Sequence, residues 1–534
     1  MNRFRIFAIC FAVLVFGAAI GWWIYHGQER KAEQDVRDEG TEAVDQSAEE
    51  KREADFEASE EPPAMVPPNA IEGERVIHFP TRGDFRDYLR ALSEHDMRSL
   101  GQIEELLVVR VRQETFEKGP DPNRFGAYSD FAYRVERPPE PDGIDGGALG
   151  HLQAFNESAR TITGEDVAGD GSGVLVGILD SGIQAHPQFD DVYIVHMDLP
   201  GGGVDGPGAA HGTSVASIIT GSEGVAPNAE LLVVRVLDDE GIGNSFHVAE
   251  GIVQAAKLGV DVMNFSVGLY EDTHLLQEAV RYAKKQDVAM VAAAGNDGYR
   301  ELPFPAAYPD VLAVTAVDAR GEHAVFPNRS EAIDFAVPGV GIMTAKNDTG
   351  TALFSGTSAS APFVTGTLAR LLSGEKERSP DEAVEFMKQH LNEAGAPGKD
   401  PLYGEGVLDW DRIRERDVPH LLDVALADIY LDPEAVPGTT EPVQVIVENR
   451  GTKWFSNAEL EVLRSSGEPE RFVLETLGPG QTATRKVYIE LPSPDGGGSF
   501  EVGARVMPEE PEKDIRPSNN LKVRLFRAGR AGND

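Results

Sequence analysis

Apolar and polar residues follow two different periods in the middle of the chain, between about residues 151 and 415. Runs of apolar, β-branched residues predict buried strands at 174–179, 231–237, 261–267, 288–294 and 311–317. The segments between and after them have helical spacing and predict helices at 211–220, 246–258, 275–286, 359–373 and 380–391. Apolar strands that alternate with helices favour an α/β fold, with a parallel sheet covered by helices on both faces.

The pattern changes on both sides of this α/β region. Residues 75–112 read as strand, helix and strand, which predicts a small α+β unit, and residues 113–150 lose periodicity and read as a linker rich in Pro, Gly and acidic residues. After residue 420 the helical pattern stops. Alternating strands separated by Gly, Pro and Asn turns predict an antiparallel β-sandwich over 421–527.

The N-terminus carries an uncharged apolar run at residues 6–25, long enough for a helix to cross a bilayer at about 1.5 Å per residue. Arginines precede the run and aromatic residues end it, as at a membrane interface. We therefore predict a signal anchor within residues 1–30, with the N-terminus inside, and the alternative is a cleaved signal peptide. The acidic residues 31–74 predict a disordered linker.

Composition excludes two classes of function. Asp and Glu number 89 against 49 Lys and Arg, a formal net charge of -40, which argues against a nucleic-acid partner. The single cysteine, Cys10, lies in the apolar N-terminal run, so no intramolecular disulfide can form. A cysteine inside a membrane span also cannot act as a nucleophile on soluble substrates.

Three short segments of the α/β region carry candidate chemistry. Asp180 ends a buried strand in Gly-Ile-Leu-Asp-Ser-Gly, His211 opens a helix in His-Gly-Thr-Ser, and Ser358 starts another helix in Ser-Gly-Thr-Ser-Ala-Ser-Ala-Pro. A serine hydroxyl needs a base to become a nucleophile. A histidine oriented by a buried carboxylate supplies that base, so these residues fit a catalytic triad.

These segments resemble the D-[ST]-G, H-G-T and G-T-S-x-x-x-P signatures of subtilisin-like serine proteases, in the order Asp, His, Ser of subtilisin itself. The resemblance covers roughly residues 165–410. It implies a serine endopeptidase that cleaves protein or peptide substrates through an acyl-enzyme, at or outside the cell envelope. Asn296, in Ala-Ala-Gly-Asn-Asp, resembles the family's oxyanion-hole asparagine and would act with the backbone N–H of Ser358.

The same resemblance indicates where a peptide would bind. Two stretches look like the strands on either side of an extended substrate, and a third adds to a roomy, apolar specificity pocket. These substrate-binding candidates are Gly241, Ile242, Gly243, Ser266, Val267, Gly268, Ala293, Ala294 and Gly295.

Two departures from the family bear on metal binding. Residues 220–227 lead straight to the next strand, where calcium-binding relatives insert an Asn-rich loop, and Gln188 replaces the Asp of the usual H-P-D-L. We therefore expect this calcium site to be absent and assign no cofactor and no metal ligand. Other calcium sites stay open.

The flanking units also resemble known modules. Residues 75–112 resemble the propeptide of these proteases, which inhibits its own enzyme until it is cut off. A cut within 113–165 would release the catalytic domain, and without it the enzyme would stay anchored in the membrane. Residues 421–527 resemble the bacterial cell-adhesion-related (CARDB-like) β-sandwich, as a stabilising appendage or as a substrate- or surface-binding module.

Two other readings compete with the endopeptidase. One is an inactive binding protein on a protease scaffold, and the other is an envelope adhesin whose working part is the sandwich. An inactive scaffold would have lost a member of the triad. Asp180, His211, Ser358 and Asn296 are all present, which favours the enzyme.

Overall fold

The computed structural model describes residues 66–139, 169–346, 349–374, 378–464, 468–493 and 499–527. The predicted signal anchor and nearly all of the acidic linker lie outside these residues, so both stay predictions. Within the described ranges, no helix combines the length and apolarity needed to cross a membrane. The chain divides into two units, 1–67 and 68–534, and the second holds every element below.

The N-terminal unit is an antiparallel sheet with one long helix on one face. Its strands are β1 (Glu74–His78), β2 (Gly101–Ile103), β3 (Val108–Arg112) and β4 (Tyr128–Asp130), in the order β2-β3-β1-β4, and its helices are α1 (Arg82–Glu94) and α2 (Gln113–Lys118). Aromatic and aliphatic side chains of α1 pack on the sheet, and Thr81 caps the helix by accepting from the N–H of Asp84. The unit therefore has a core of its own.

Two predictions for this part of the chain are corrected. The second strand expected within residues 75–112 is two strands, because the chain turns at Leu107, whose φ is +57°. The linker expected at 113–150 contains α2, β4 and a fifth strand, β5 (Arg134–Glu136). Strands of three residues are too short to give a recognisable alternation. They are held by their partners in space, since β4 pairs with β1.

The central α/β domain is built on a nine-stranded sheet. Its strands are β6 (Leu175–Asp180), β7 (Ile194–Asp198), β8 (Glu230–Arg235), β10 (Val262–Phe265), β11 (Ala289–Ala293), β12 (Leu312–Val317), β13 (Ile333–Pro338), β16 (Leu391–Asn392) and β17 (Val407–Leu408). The order is β16-β17-β13-β12-β11-β10-β6-β8-β7, and among the described strands only β16 runs antiparallel to its neighbour. This confirms the predicted parallel sheet.

Helices cover both faces of this sheet. They are α3 (Ala210–Ile219), α4 (Ser245–Lys257), α5 (His274–Lys285), α6 (Thr357–Leu372), α7 (Pro380–Lys388) and α8 (Trp410–Glu415). Side chains of α4 and α5 share one hydrophobic core with the sheet, and those of α3 and α6 share the other. Ser379 and Glu382 form a capping box at the start of α7. Three short strands lie outside the sheet: β9 (Ile242–Asn244), β14 (Ile342–Lys346) and β15 (Gly350–Phe354).

The C-terminal residues form two antiparallel sheets that share one core, which confirms the predicted sandwich architecture. The first sheet holds β18 (Val424–Leu431), β19 (Thr440–Asn449) and β22 (Thr482–Glu490), and the second holds β20 (Glu459–Arg464), β21 (Glu470–Val473), β23 (Ser499–Met507) and β24 (Leu521–Arg527). Alternate residues of both sheets point into the shared core. The resemblance to the cell-adhesion-related domain stays a prediction.

Candidate active site

Asp180 is the last residue of β6, which lies between β10 and β8 in the sheet, and its side chain is fully buried. The carboxylate accepts a hydrogen bond from the backbone N–H of Ser181 at 2.7 Å and one from the Ser181 hydroxyl at 3.1 Å. A buried charge is stable only when it is paired and hydrogen-bonded. The Asp180 carboxylate is therefore held in a fixed orientation at the carboxyl end of a parallel strand, where α/β proteins bind ligands.

His211 lies in the first turn of α3 with its ring against this carboxylate. Its Nδ1 is 2.8 Å from Asp180 Oδ1 and 3.0 Å from Oδ2. An ionised carboxylate only accepts, so the proton of the pair is on Nδ1 and Nε2 is free to act as a base. Gly212 allows this approach, because a Cβ there would lie 3.2 Å from Asp180 Oδ1 and 2.1 Å from the carbonyl oxygen of Gly182.

Ser358 is the second residue of α6, and its side chain is almost fully buried. Its Oγ has no hydrogen-bond partner among the described residues, His211 included. A buried hydroxyl without a partner is rare in native structures and needs an explanation, such as a catalytic role. The backbone N–H groups of this first helical turn have no partner within the helix and favour negative charge.

Asn296 follows β11 and faces the start of α6. Its side-chain oxygen accepts from the backbone N–H and from the hydroxyl of Thr357, both at 2.9 Å. A backbone N–H can only donate, so these bonds fix which end of the amide is oxygen and turn Nδ2 the other way. Nδ2 donates to the carbonyl oxygen of Pro139 at 2.8 Å. Gly356, at φ +132°, leaves room for Nδ2, since a Cβ there would lie 2.8 Å from it.

Residues 134–139, which we call the cleft segment, lie in the groove that leads to these side chains. β5 pairs antiparallel with β9, so that Val135 lies opposite Gly243. On the other side, Glu136 and Gly268 exchange two backbone hydrogen bonds of 3.1 and 2.9 Å. The cleft segment is therefore an added strand between two edges, the way an extended peptide is recognised by a sheet.

Comparison with known proteins identifies this architecture. The Peptidase_S8 model, which describes the subtilase family, matches residues 171–406. Subtilisin Savinase of Lederbergia lenta is 34% identical over 246 residues, which cover 45% of this chain and 90% of Savinase. The chain belongs to the subtilase family. Residues 171–406 are accordingly a serine endopeptidase domain.

Other subtilases are similar over the same part of the chain. The alkaline protease of Alkalihalobacillus alcalophilus is 35% identical over 246 residues, 45% of this chain and 63% of that protease. The minor extracellular protease Epr of Bacillus subtilis (strain 168) is 31% identical over 251 residues, 45% of this chain and 38% of Epr. The solved structure of the prenylagaramide maturation protease PagA has a TM-score of 0.42 at 28% identity and covers 49% of this chain and 97% of PagA.

The predicted substrate-binding residues of this subtilase fall into two groups. Gly241, Ile242 and Gly243 lie along the cleft segment on one side, and Gly268 lies along it on the other. The second group has its side chains buried in the domain and consists of Ser266, Val267, Ala293 and Ala294.

The side chains of Ala293 and Ala294 pack in the two hydrophobic cores beside the sheet, and their part in the specificity pocket stays a prediction. Beside the cleft segment, the residues that line the cavity include Gly268, Gly295 and three side chains that sequence reasoning missed, Tyr270, Asp297 and Pro303. Pro303 and Tyr270 come from loops that meet only in the folded chain. In the sequence, only the position of Asp297 next to Asn296 could have indicated one of these three lining residues.

A hydrogen-bonded chain holds this carboxylate at the edge of the cavity. The Tyr270 hydroxyl donates to Asp297 Oδ2 at 2.6 Å and accepts from Asn328 Nδ2 at 2.8 Å. Burial raises the pKa of Tyr270, and its hydrogen bond to the carboxylate raises that pKa further. The hydroxyl therefore stays a neutral donor, and Asp297 is partly satisfied before any substrate binds.

Gln188 takes part in the structure where many subtilases have an aspartate. Its side-chain Nε2 donates to the carbonyl oxygens of Ser217 at 2.6 Å and Thr220 at 3.0 Å, at the C-terminal end of α3. Within the described residues, no cluster of three or more His, Cys, Asp or Glu side chains could hold a metal ion.

Proposed function

We propose that this chain is the precursor of a serine endopeptidase that cleaves proteins with Asp180, His211 and Ser358 as catalytic triad and Asn296 as oxyanion donor. One observation carries the proposal: the cleft segment lies as a substrate would, with the carbonyl oxygen of Pro139 2.8 Å from Asn296 Nδ2. Preorganised donors at 2.7–3.1 Å from a carbonyl oxygen are the geometric mark of an oxyanion hole.

The reaction follows from the four side chains. His211 Nε2 takes the proton of Ser358 as Oγ attacks the carbonyl carbon, and the π electrons move to the oxygen, which Asn296 Nδ2 and the N–H of Ser358 stabilise. The C–N bond then breaks, and His211 gives its proton to the departing amine. Water, deprotonated by His211, cleaves the acyl-enzyme in the same way. Asp180 keeps the imidazole in the required tautomer and stabilises its cation.

The hydrogen bond missing between His211 and Ser358 does not oppose this role. Catalytic hydrogen bonds are often long or absent before a true substrate is bound, and they tighten in the reacting complex. The Ser358 hydroxyl makes no hydrogen bond within the described residues, so no such bond has to break before Oγ attacks as a nucleophile.

The N-terminal unit would act as the inhibitor of its own enzyme. Its sheet packs on the domain at α4, where a Cβ on Gly101 would lie 2.7 Å from the Phe246 ring, and its last residues fill the cleft. Pro139 carries the carbonyl group that faces Asn296, and a second proline, Pro138, precedes it. Each proline has a fixed φ and no backbone N–H. The segment therefore lacks the backbone hydrogen bonds and the conformational freedom that an ordinary substrate has at these residues.

The domain would work outside the cytoplasm, as the name of the similar extracellular protease Epr suggests. The apolar run at 6–25 would anchor the precursor, and a processing cut C-terminal to Pro139 would free the mature enzyme. No calcium would be needed at Gln188, because its amide already satisfies the carbonyl oxygens of α3.

Expression of the full chain beside two matched variants tests the endopeptidase. Ser358→Ala removes the proposed nucleophile, and Ser360→Ala removes a buried hydroxyl of the same helix that donates to the Val337 carbonyl oxygen. We expect wild type and Ser360→Ala to shorten themselves and hydrolyse casein, and Ser358→Ala to stay full length and inactive. Casein hydrolysis by Ser358→Ala at the wild-type rate would refute the proposal.

A further inference from the structure

The cavity beside the cleft segment has a feature that bears on substrate choice, given the proposed endopeptidase function. Its lining includes residues from both ends of the segment, from Arg134 to Pro139, and its volume is about 220 Å³. At the end near Asn296, where the side chain before the cleaved bond would enter, the walls are Gly268 and Gly295.

Pro303 bridges these two walls. A Cβ built on Gly268 would lie 2.8 Å from Pro303 Cβ and 3.1 Å from its Cγ, and one built on Gly295 would lie 3.3 Å from Pro303 Cδ. The ring is therefore in contact with both backbone stretches. An aromatic side chain that enters between the two glycines would meet the Pro303 ring, because this ring fills the space between their backbones.

The proline is also fixed in place. Phe304, the next residue, exchanges two backbone hydrogen bonds with Leu269, of 3.1 and 2.7 Å, and this ties the Pro303 loop to the wall that contains Gly268. Pro303 is buried, and proline has no side-chain rotamer that would swing it aside. Opening the pocket would require the two loops to separate.

We infer that Pro303 limits the specificity pocket to small side chains, so that this protease cleaves after residues such as alanine in preference to aromatic or long apolar residues. The cleft segment is consistent with this preference, since the residue whose carbonyl oxygen faces Asn296 is the compact Pro139. The opposite wall offers no space either, because Tyr270 and Asp297 are hydrogen-bonded to each other. This inference differs from the roomy, apolar pocket that the resemblance to the family predicts.

The test uses processed enzyme and tetrapeptide p-nitroanilides that differ only in the last residue: Ala, Leu, Phe or Lys. We expect kcat/KM of the wild type to be highest for Ala, by about tenfold or more over Phe, a discrimination within the range of a hydrophobic pocket. Pro303→Gly should raise the Phe-to-Ala ratio by about tenfold or more. Pro309→Gly, at an exposed proline of the same loop, should leave that ratio unchanged.

The outcomes separate the two proposals. A wild type that cleaves none of the substrates and takes up no fluorophosphonate contradicts the endopeptidase function itself. An active wild type that cleaves the Phe or Leu substrate as well as the Ala substrate overturns the role of Pro303 alone, and so does a preference for Lys, which would assign the pocket to Asp297. If Pro303→Gly does not fold, the wild-type profile and Pro303→Ala decide.

Discussion

At the scale of single residues, the site depends on groups that fix one another's orientation. Thr357 holds the oxygen of the Asn296 amide, so the nitrogen faces the cleft. Asp180 does the same for His211 by accepting from Nδ1. Gly212 and Gly356 stand where any side chain would collide with Asp180 or Asn296. Asp180, His211 and Asn296 are therefore oriented before a substrate arrives.

Asn296→Ala tests the oxyanion donor. The variant keeps the triad but loses the N–H groups that face the carbonyl oxygen, so kcat should fall while KM changes little. The expected size, a loss of about 10²–10³, is taken from subtilisin itself, where removal of this donor has that effect. Peptide hydrolysis by the processed variant gives both constants. A large rise in KM at unchanged kcat would make Asn296 a binding residue only.

At the scale of elements, the cleft segment combines two properties, a substrate-like strand pairing and a pair of prolines. In the proposed inhibitor role, pairing with β9 and Gly268 would account for its affinity. The prolines would account for resistance to cleavage, because the residue that carries the attacked carbonyl has a fixed φ and no N–H. The inhibitor and the substrate would then occupy the same groove and differ in the residues before the reacting bond.

Pro139→Ala should convert the inhibitory strand into a substrate. We expect the variant to be cut at the bond after residue 139, whereas the wild type should be cut only farther toward the C-terminus. N-terminal sequencing of the processed species locates the cut. Pro120→Ala, at a proline of the N-terminal unit outside the cleft, serves as control and should be processed as wild type. Identical N-termini for Pro139→Ala and wild type would count against the register proposed here.

The contact of the N-terminal unit with α5 should depend on pH. His78 of β1 is buried, stacked on Tyr128 at 4.6 Å and 5.6 Å from the His274 ring, and Glu278 lies 3.9 Å beyond His274. Burial, and to a lesser extent the positive charge of His274, lower the pKa of His78 to about 4. In the unfolded chain this pKa is about 6.5.

The direction of the pH dependence follows from proton uptake by the unfolded state. The unfolded state binds the proton of His78 first, so this residue's contribution to stability is fully present above pH 6.5 and is lost as the pH falls toward 4. Thermal unfolding of the uncut Ser358→Ala protein should show a Tm that declines across this range. His78→Phe in the same background keeps the ring stack and should flatten the decline. Parallel curves for the two proteins would contradict the assignment.

At the scale of the whole molecule, the C-terminal sandwich is joined to the α/β domain by ion pairs. Arg412 of α8 donates to Glu448 of β19 at 2.5 Å, and both side chains are buried. The other carboxylate oxygen of Glu448 accepts from Arg450 and from the backbone N–H of Glu393. Glu322 of the α/β domain pairs with Arg524 of β24. The sandwich is thus attached as a fixed part of the enzyme.

Glu448→Gln should destabilise the two domains together. The change leaves the buried guanidinium of Arg412 without its countercharge, and breaking a buried pair in this way costs about 3–5 kcal/mol. Urea unfolding of the uncut Ser358→Ala protein, with and without Glu448→Gln, measures the loss. Glu510→Gln, at the exposed pair with Lys453, is the control and should change the midpoint little. Equal midpoints for both variants would mean that the sandwich is only loosely attached.

The sequence predicted most of the central sheet and the side chains of the proposed chemistry. Buried strands such as β8 have continuous apolar runs, and Asp180, His211 and Ser358 stand in short local motifs. Pairing between segments that lie far apart in the sequence leaves no comparable local pattern. β5 has three residues and forms on β9, and Pro303 reaches Gly268 only through the folded chain. The pairing of the cleft segment and the lining of the cavity beside it therefore required the structure.

The most direct test of the central claim is to locate the nucleophile chemically. Processed wild-type enzyme is labelled with a fluorophosphonate, digested, and the modified residue is identified by mass spectrometry. A catalytic serine activated by His211 and Asp180 predicts one adduct per chain, on Ser358, and none on Ser360 or Ser355. An adduct on another residue, or equal labelling of the Ser358→Ala protein, would contradict the account.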